Sequence, residues 1–114
     1  MLAKANRITS AGDYKIVVRR GRRFVAANTV TYVRANSGGS DARFGFIVAK
    51  SVGGATRRNR VRRQLKAASH LLVGSTNAGT DVVIRALPGS FEASWDTLRA
   101  EVIQAVSKGS ARSE

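Results

Sequence analysis

The amino-acid sequence predicts an α+β fold: a two-layer sandwich in which helices pack against a four-stranded sheet, in the order αβββαβα. Three observations carry that expectation. From Arg22 to Lys50 the chain is rich in Val, Phe, Tyr and Thr, broken only at Ala27-Asn28 and at NSGGSD; a separate apolar run, DVVIRAL, begins at Asp81; and two segments after Gly54 repeat apolar residues at helical spacing. With 114 residues, 43% of them apolar, the chain has the size and material of one core, so residues 1–114 are expected to form a single domain.

Taken in order, Ser10 is placed to cap a helix over Ala11 to Arg20, with Asp13 in the first turn and Gly21 just past the end. FVA, TVTYV and RFGFIVAK then read as three strands, each expected to be the antiparallel neighbour of the next. FGFIVA is apolar at both alternating parities, which predicts a strand covered on both faces and central in its sheet. TVTYV predicts one face less completely buried, because Val30 and Tyr32 alternate with Thr29, Thr31 and Val33. Thr56 is the expected cap of a second helix whose apolar stripe is Val61, Leu65, Ala68 and Leu72. Gly74 and STNAGT end that helix, DVVIRAL is the fourth strand, and Pro88-Gly89 breaks the chain before a third helix with Phe91, Trp95, Leu98, Val102 and Val106 on one side. The end of the chain, about 108–114, is expected to fray, and Phe24, Phe44, Phe46, Phe91 and Trp95 are assigned to the core.

Charge narrows the function. Twenty Lys and Arg stand against seven Asp and Glu, a formal charge of +13, and a polyanion is the partner such an imbalance fits. The excess is uneven: residues 1–80 hold 16 basic and 2 acidic residues, and 81–114 hold 4 and 5. The absence of cysteine excludes disulfides, thiolate catalysis and cysteine zinc sites. MLAKANRITS lacks the apolar run of a signal peptide, and no stretch of about 18 apolar residues occurs, so the expectation is a cytoplasmic protein with no membrane partner.

The densest charge lies in TRRNRVRRQLK, residues 56–66, with six cations in eleven positions. On a helical wheel Asn59, Arg63 and Lys66 lie opposite the Val61 stripe, Arg60 and Arg62 flank it, and Arg57 and Arg58 occupy the first turn. Like charges three and four apart repel, by a few tenths of a kcal/mol per pair, and a polyanion removes that penalty. SVGGAT adds open backbone N–H groups and the positive helix end at the same place. Arg19, Arg20, Arg22 and Arg23 form a second cluster. GGAT lacks the lysine and spacing of a nucleotide-binding loop. His70, the sole histidine, falls on the polar side of the second helix, and Asp13, Asp41 and Asp81 belong to separate elements, so no catalytic residue and no metal ligand is assigned. Tyr14 and Tyr32 are candidates either for base stacking or for half-buried core.

RFGFIVAKSVGGATRRNRVRRQLKAA resembles the signature of the bacterial ribonuclease P protein family, in which Arg-Asn-Arg, here Arg58, Asn59 and Arg60, opens a helix after a strand. ANRITSAGDYKIVVRRGRR is similar to that family's opening segment and DVVIRALPG to its close, so the likeness spans nearly the whole chain. The resemblance implies a left-handed crossover from the third strand through the Arg-rich helix to the fourth. It implies a protein that binds a catalytic RNA subunit and the 5′ leader of precursor tRNA, with no further protein partner required. Magnesium ions are then held mainly by RNA, which performs the hydrolysis. Carried over to this chain, Lys50, Arg57, Arg58, Asn59, Arg60, Arg62, Arg63 and Lys66 face the RNA subunit, and Tyr14, Val18 and Tyr32 line the leader cleft. Tyr14 and Val18 stand where family members often carry phenylalanine. The alternative is a ribosomal or general structured-RNA-binding protein, with no preference for a leader.

Overall fold

The structure, a computed structural model, describes residues 2–35 and 41–111. Most of the NSGGSD break, 36–40, lies outside the described residues, as do 112–114 of the end expected to fray. Helices α1 (Ala11–Arg20), α2 (Ala55–His70) and α3 (Trp95–Ala111) and strands β1 (Arg22–Val25), β2 (Thr29–Ala35), β3 (Arg43–Ile47) and β4 (Thr80–Ala86) follow the expected αβββαβα order. No described helix is long and apolar enough to cross a membrane.

Helix α1 begins and ends where its local signals place it. Ser10 Oγ accepts the N–H groups of Gly12 and Asp13 at 3.1 and 3.4 Å, and Gly21 N–H donates to the Val17 carbonyl at 2.7 Å. At α2 the cap differs from expectation. Gly54 is the N-cap, no side chain accepts from that end, and Thr56 sits exposed inside the first turn. The cause is Gly53, whose φ of 153° aims the chain into the helix earlier than a threonine cap allows; a Cβ there would also meet the Arg57 side chain at 2.8 Å. Helix α3 continues through Ala111, beyond the expected start of fraying, and Gly109 lies so close to Val33 that an added Cβ would sit 2.7 Å from the valine side chain.

The strand order is β1-β2-β4-β3, with β1–β2 and β2–β4 antiparallel and β3–β4 parallel. This corrects two expectations. Strand β3 lies at an edge, and β4 separates it from β2. Its apolar character at both parities has another source: Phe44 faces the α2 and α3 side, while at Gly45 the Tyr14 ring of α1 covers the other face. The outer edge of β3 is closed as well. Ile8 N–H donates to the Phe44 carbonyl at 3.0 Å, Phe46 N–H donates to Tyr14 Oη at 3.0 Å, and Asn6 Nδ2 donates to the Ala42 carbonyl at 2.8 Å. An edge whose polar groups are engaged offers no template for another strand. In β2 both faces are buried from Thr29 to Val33, because Thr29 Oγ1 donates to Glu101 of α3 at 2.7 Å and Thr31 is covered on the same face.

The main core lies between the sheet and the helices α2 and α3, where Val61, Leu65, Ala68, Val102 and Val106 meet Phe44, Val82 and Ile84. A smaller cluster, Ile8, Val17, Val30, Tyr32 and Val83, lies under α1 on the opposite face. α1 is thus set across the sheet from α2, and the open rim between them is the place where a cleft forms.

Candidate nucleic-acid interface

The stripe Val61, Leu65 and Ala68 is wholly buried, and burying it turns the cationic side of α2 outward. Arg57, Asn59, Arg60 and Arg63 are exposed, and Arg58, Arg62 and Lys66 are half-buried. Among the described residues the ion pairs are Arg43 with Asp13 and Asp81 and Arg99 with Asp96, so none involves α2. What holds the arginines is neutral. Arg57 and Arg60 lie over the Phe91 ring at 4.4 and 5.9 Å, and Arg62 donates to Asn59 Oδ1 at 2.8 Å. Stacking uses the face of a guanidinium and leaves its in-plane N–H donors available to phosphate oxygens. Lys50, exposed in the 3-10 turn Lys50–Val52, stands at the approach to α2. The first turn of α2 carries no acidic residue and no side-chain cap, so its backbone N–H groups add to the field of Arg57 and Arg58.

A second feature is the cleft on the rim between α1 and β3, about 880 Å³ in volume. Tyr14, Lys15, Val18 and Arg19 of α1 form one wall, Phe46, Ile47 and Val48 the other, and Arg62 of α2 and Arg85 of β4 close the ends. Tyr14 is fixed by its bond to Phe46 N–H, and Gly45 makes the room, since a Cβ there would lie 2.6 Å from the tyrosine ring. The floor is aromatic and aliphatic and the rim is cationic. An unpaired strand needs that pairing of surfaces, with bases on the apolar part and phosphates on the rim.

Two of the three leader residues expected from sequence, Tyr14 and Val18, line this cleft. Tyr32 does not. It is buried in the α1 cluster, with Arg85 over its ring at 6.0 Å. Phe46, assigned to the core by its pattern, is half-buried and forms part of the cleft wall. Lys15 and Arg85 carried no signal, because single cations in otherwise ordinary elements look like solvated side chains. The second arginine cluster divides: Arg19 borders both the cleft and a hollow that it shares with Arg20 and Arg34, and Arg22 and Arg23 stay on β1.

The carboxylates gather on an arginine. Arg43 holds Asp81 through two bonds, Nε to Oδ1 at 3.0 Å and Nη2 to Oδ2 at 2.8 Å, and reaches Asp13 at 3.3 Å. Its guanidinium pKa is raised, first by the hydrogen bond to Asp81, against the opposing effect of burial. This cluster joins α1 to β3 and β4 beside the cleft. His70, the last residue of α2, is exposed.

A family model described as Ribonuclease P matches residues 2–109. The ribonuclease P protein component of Clavibacter michiganensis subsp. michiganensis is 49% identical over 108 residues, covering 95% of this chain and 96% of that protein. The component from Pseudarthrobacter chlorophenolicus is 44% identical over 101 residues, covering 89% and 74%. Among solved structures, the ribonuclease P protein of Staphylococcus aureus superposes with a TM-score of 0.78 at 23% identity, covering 92% of this chain and 94% of that one. That of Thermotoga maritima gives 0.77 at 22%, covering 90% and 96%.

Proposed function

The chain belongs to the ribonuclease P protein family, and from that premise we propose how it serves, through two surfaces, as the protein subunit of this ribonucleoprotein endoribonuclease, which matures the 5′ end of tRNA with its RNA subunit as catalyst. The α2 face from Arg57 to Lys66, with Lys50 at its approach, grips the RNA subunit. The cleft takes the single-stranded 5′ leader of precursor tRNA, with bases on Tyr14, Val18 and Phe46 and phosphates on Lys15, Arg19, Arg62 and Arg85. Tyr32 serves from one layer below, as a buried support for Arg85. Arg62, common to α2 and the cleft, ties the two tasks together. Residues 1–114 act as one RNA-binding domain, and the site of action is the cytoplasm.

Support for this reading comes chiefly from the cations of α2, none of them in a described ion pair, lying beside an aromatic cleft. Cations held near two RNAs reduce the repulsion between them, so less magnesium is needed to bring substrate and ribozyme together. The ion itself belongs with RNA. Asp13 and Asp81, the carboxylates the fold draws together, are engaged by Arg43.

The test is reconstitution with ribonuclease P RNA. Added protein is expected to lower the magnesium concentration needed for cleavage and to favour precursor over mature tRNA. Equal affinity for the two would remove the leader cleft, copurification of mixed ribosomal RNAs would favour a general RNA-binding role, and cleavage by the protein without RNA would overturn the division of labour.

A further inference from the structure

Helix α2 has an aromatic hollow on each side. One is the cleft, reached through Arg62. The other is a shallow recess of about 360 Å³ between α2 and the start of α3, lined by Arg60, Arg63, Gln64, Ala67 and Trp95. Trp95, the only tryptophan, packs in part against the main core yet remains half-buried, with the recess in front of it. Ala67 is exposed and too small to fill the space. Arg60 is held at its edge by the Phe91 ring, 5.9 Å away. The recess shares no lining residue with the leader cleft.

We propose that Trp95 is a stacking platform for an unpaired base of the RNA subunit, with Arg60 and Arg63 on the flanking phosphates. The proposal rests on the family reading and adds to it a base-binding subsite beside the arginine face. An indole face next to two arginines that lie in no described ion pair suits a base with its phosphates; an acidic peptide would use the charges and leave the ring idle. Glu92 and Asp96, the acidic residues nearest Trp95 in sequence, disfavour phosphate on the α3 side. The bound backbone therefore runs over α2 and the base turns toward α3.

Because Trp95 is unique, its emission reports on this site alone. Full-length protein is titrated with a transcript of ribonuclease P RNA, without precursor tRNA, and binding is followed independently by filter retention. The expected result is quenching that saturates with binding, together with protection from acrylamide. Trp95→Leu should bind roughly 5- to 150-fold more weakly, as loss of one stacked base implies, with an unchanged salt slope, while Trp95→Phe should recover most of the affinity. Complete binding with unaltered emission and acrylamide access overturns the Trp95 proposal and leaves the family reading intact. Failure of the RNA to bind at all overturns the family reading instead. Should Trp95→Leu not fold, the titration of the unsubstituted protein still decides.

Discussion

At the scale of single residues, the cleft depends on what fits beside Tyr14. Gly45→Ala places a methyl group 2.6 Å from ring carbons held by the Phe46 N–H bond, so the ring must leave. The expected outcome is a loss of about 1–3 kcal/mol in stability by urea unfolding, with weaker binding of precursor and little change for mature tRNA. Tyr14→Phe keeps the ring and removes only the hydroxyl. It is expected to lose about 0.5–1.5 kcal/mol of stability while retaining the preference for precursor; loss of that preference would mean the hydroxyl itself contacts RNA. Phe46 shows why residue roles were only partly legible. Its neighbours predict burial, and it is buried on one side, but whether its other side meets solvent depends on how far α1 stands from α2. Tyr32 is the converse case. Its alternation with Thr31 and Val33 matches a half-open strand, yet α1 covers it.

At the scale of elements, α2 separates two contributions to its construction. Its buried stripe holds it to the sheet, and its charged side contributes to binding and opposes helix formation by self-repulsion. Arg58→Ala with Arg60→Ala is therefore expected to cost about 1 kcal/mol of stability, chiefly the contact of Arg60 with Phe91, while flattening the logarithmic salt slope of RNA binding by roughly 1.4 to 1.8. A slope unchanged in filter-binding measurements would remove both from phosphate contact. Helix α3 is fastened differently. Glu101 accepts from Asn28 N–H at 3.2 Å, Asn28 Nδ2 at 2.8 Å and Thr29 Oγ1 at 2.7 Å, which joins α3 to the β1–β2 turn. Glu101→Ala should lower stability by about 1.5–3 kcal/mol, and the salt slope should not move, because the partners of Glu101 are Asn28 and Thr29 and not an α2 cation. The helices were legible in sequence because caps and apolar spacing act within a few residues. The cap of α2 was misplaced because the φ of Gly53 is a property of how the chain leaves β3, and Thr56 alone gave no sign of it.

At the scale of the whole molecule, a charge of +13 on a small sheet-and-helix body is tolerated because a few acidic residues are spent on structure and the cations of α2 are left without them. Arg43, Asp13 and Asp81 tie α1 to the sheet. Asp81→Asn should destabilise by about 1.5–3 kcal/mol, since it removes the charged partner that Arg43 holds through two bonds, and calorimetry at neutral pH would show it. With six α2 cations on phosphates, the full protein should show a logarithmic salt slope of roughly −4 to −5. What the sequence determined by itself is whatever short-range physics writes: the limits of α1, the stripe and charge of α2, the preference for a polyanion, and the likeness carried by Arg58-Asn59-Arg60. Tertiary structure alone decided that β4 enters between β2 and β3, that Phe46 rather than Tyr32 lines the cleft, and that Asp13 and Asp81 meet on Arg43. Those outcomes come from pairings such as Arg43 with Asp81, 38 residues apart, and contacts at that separation leave no periodic trace along the chain.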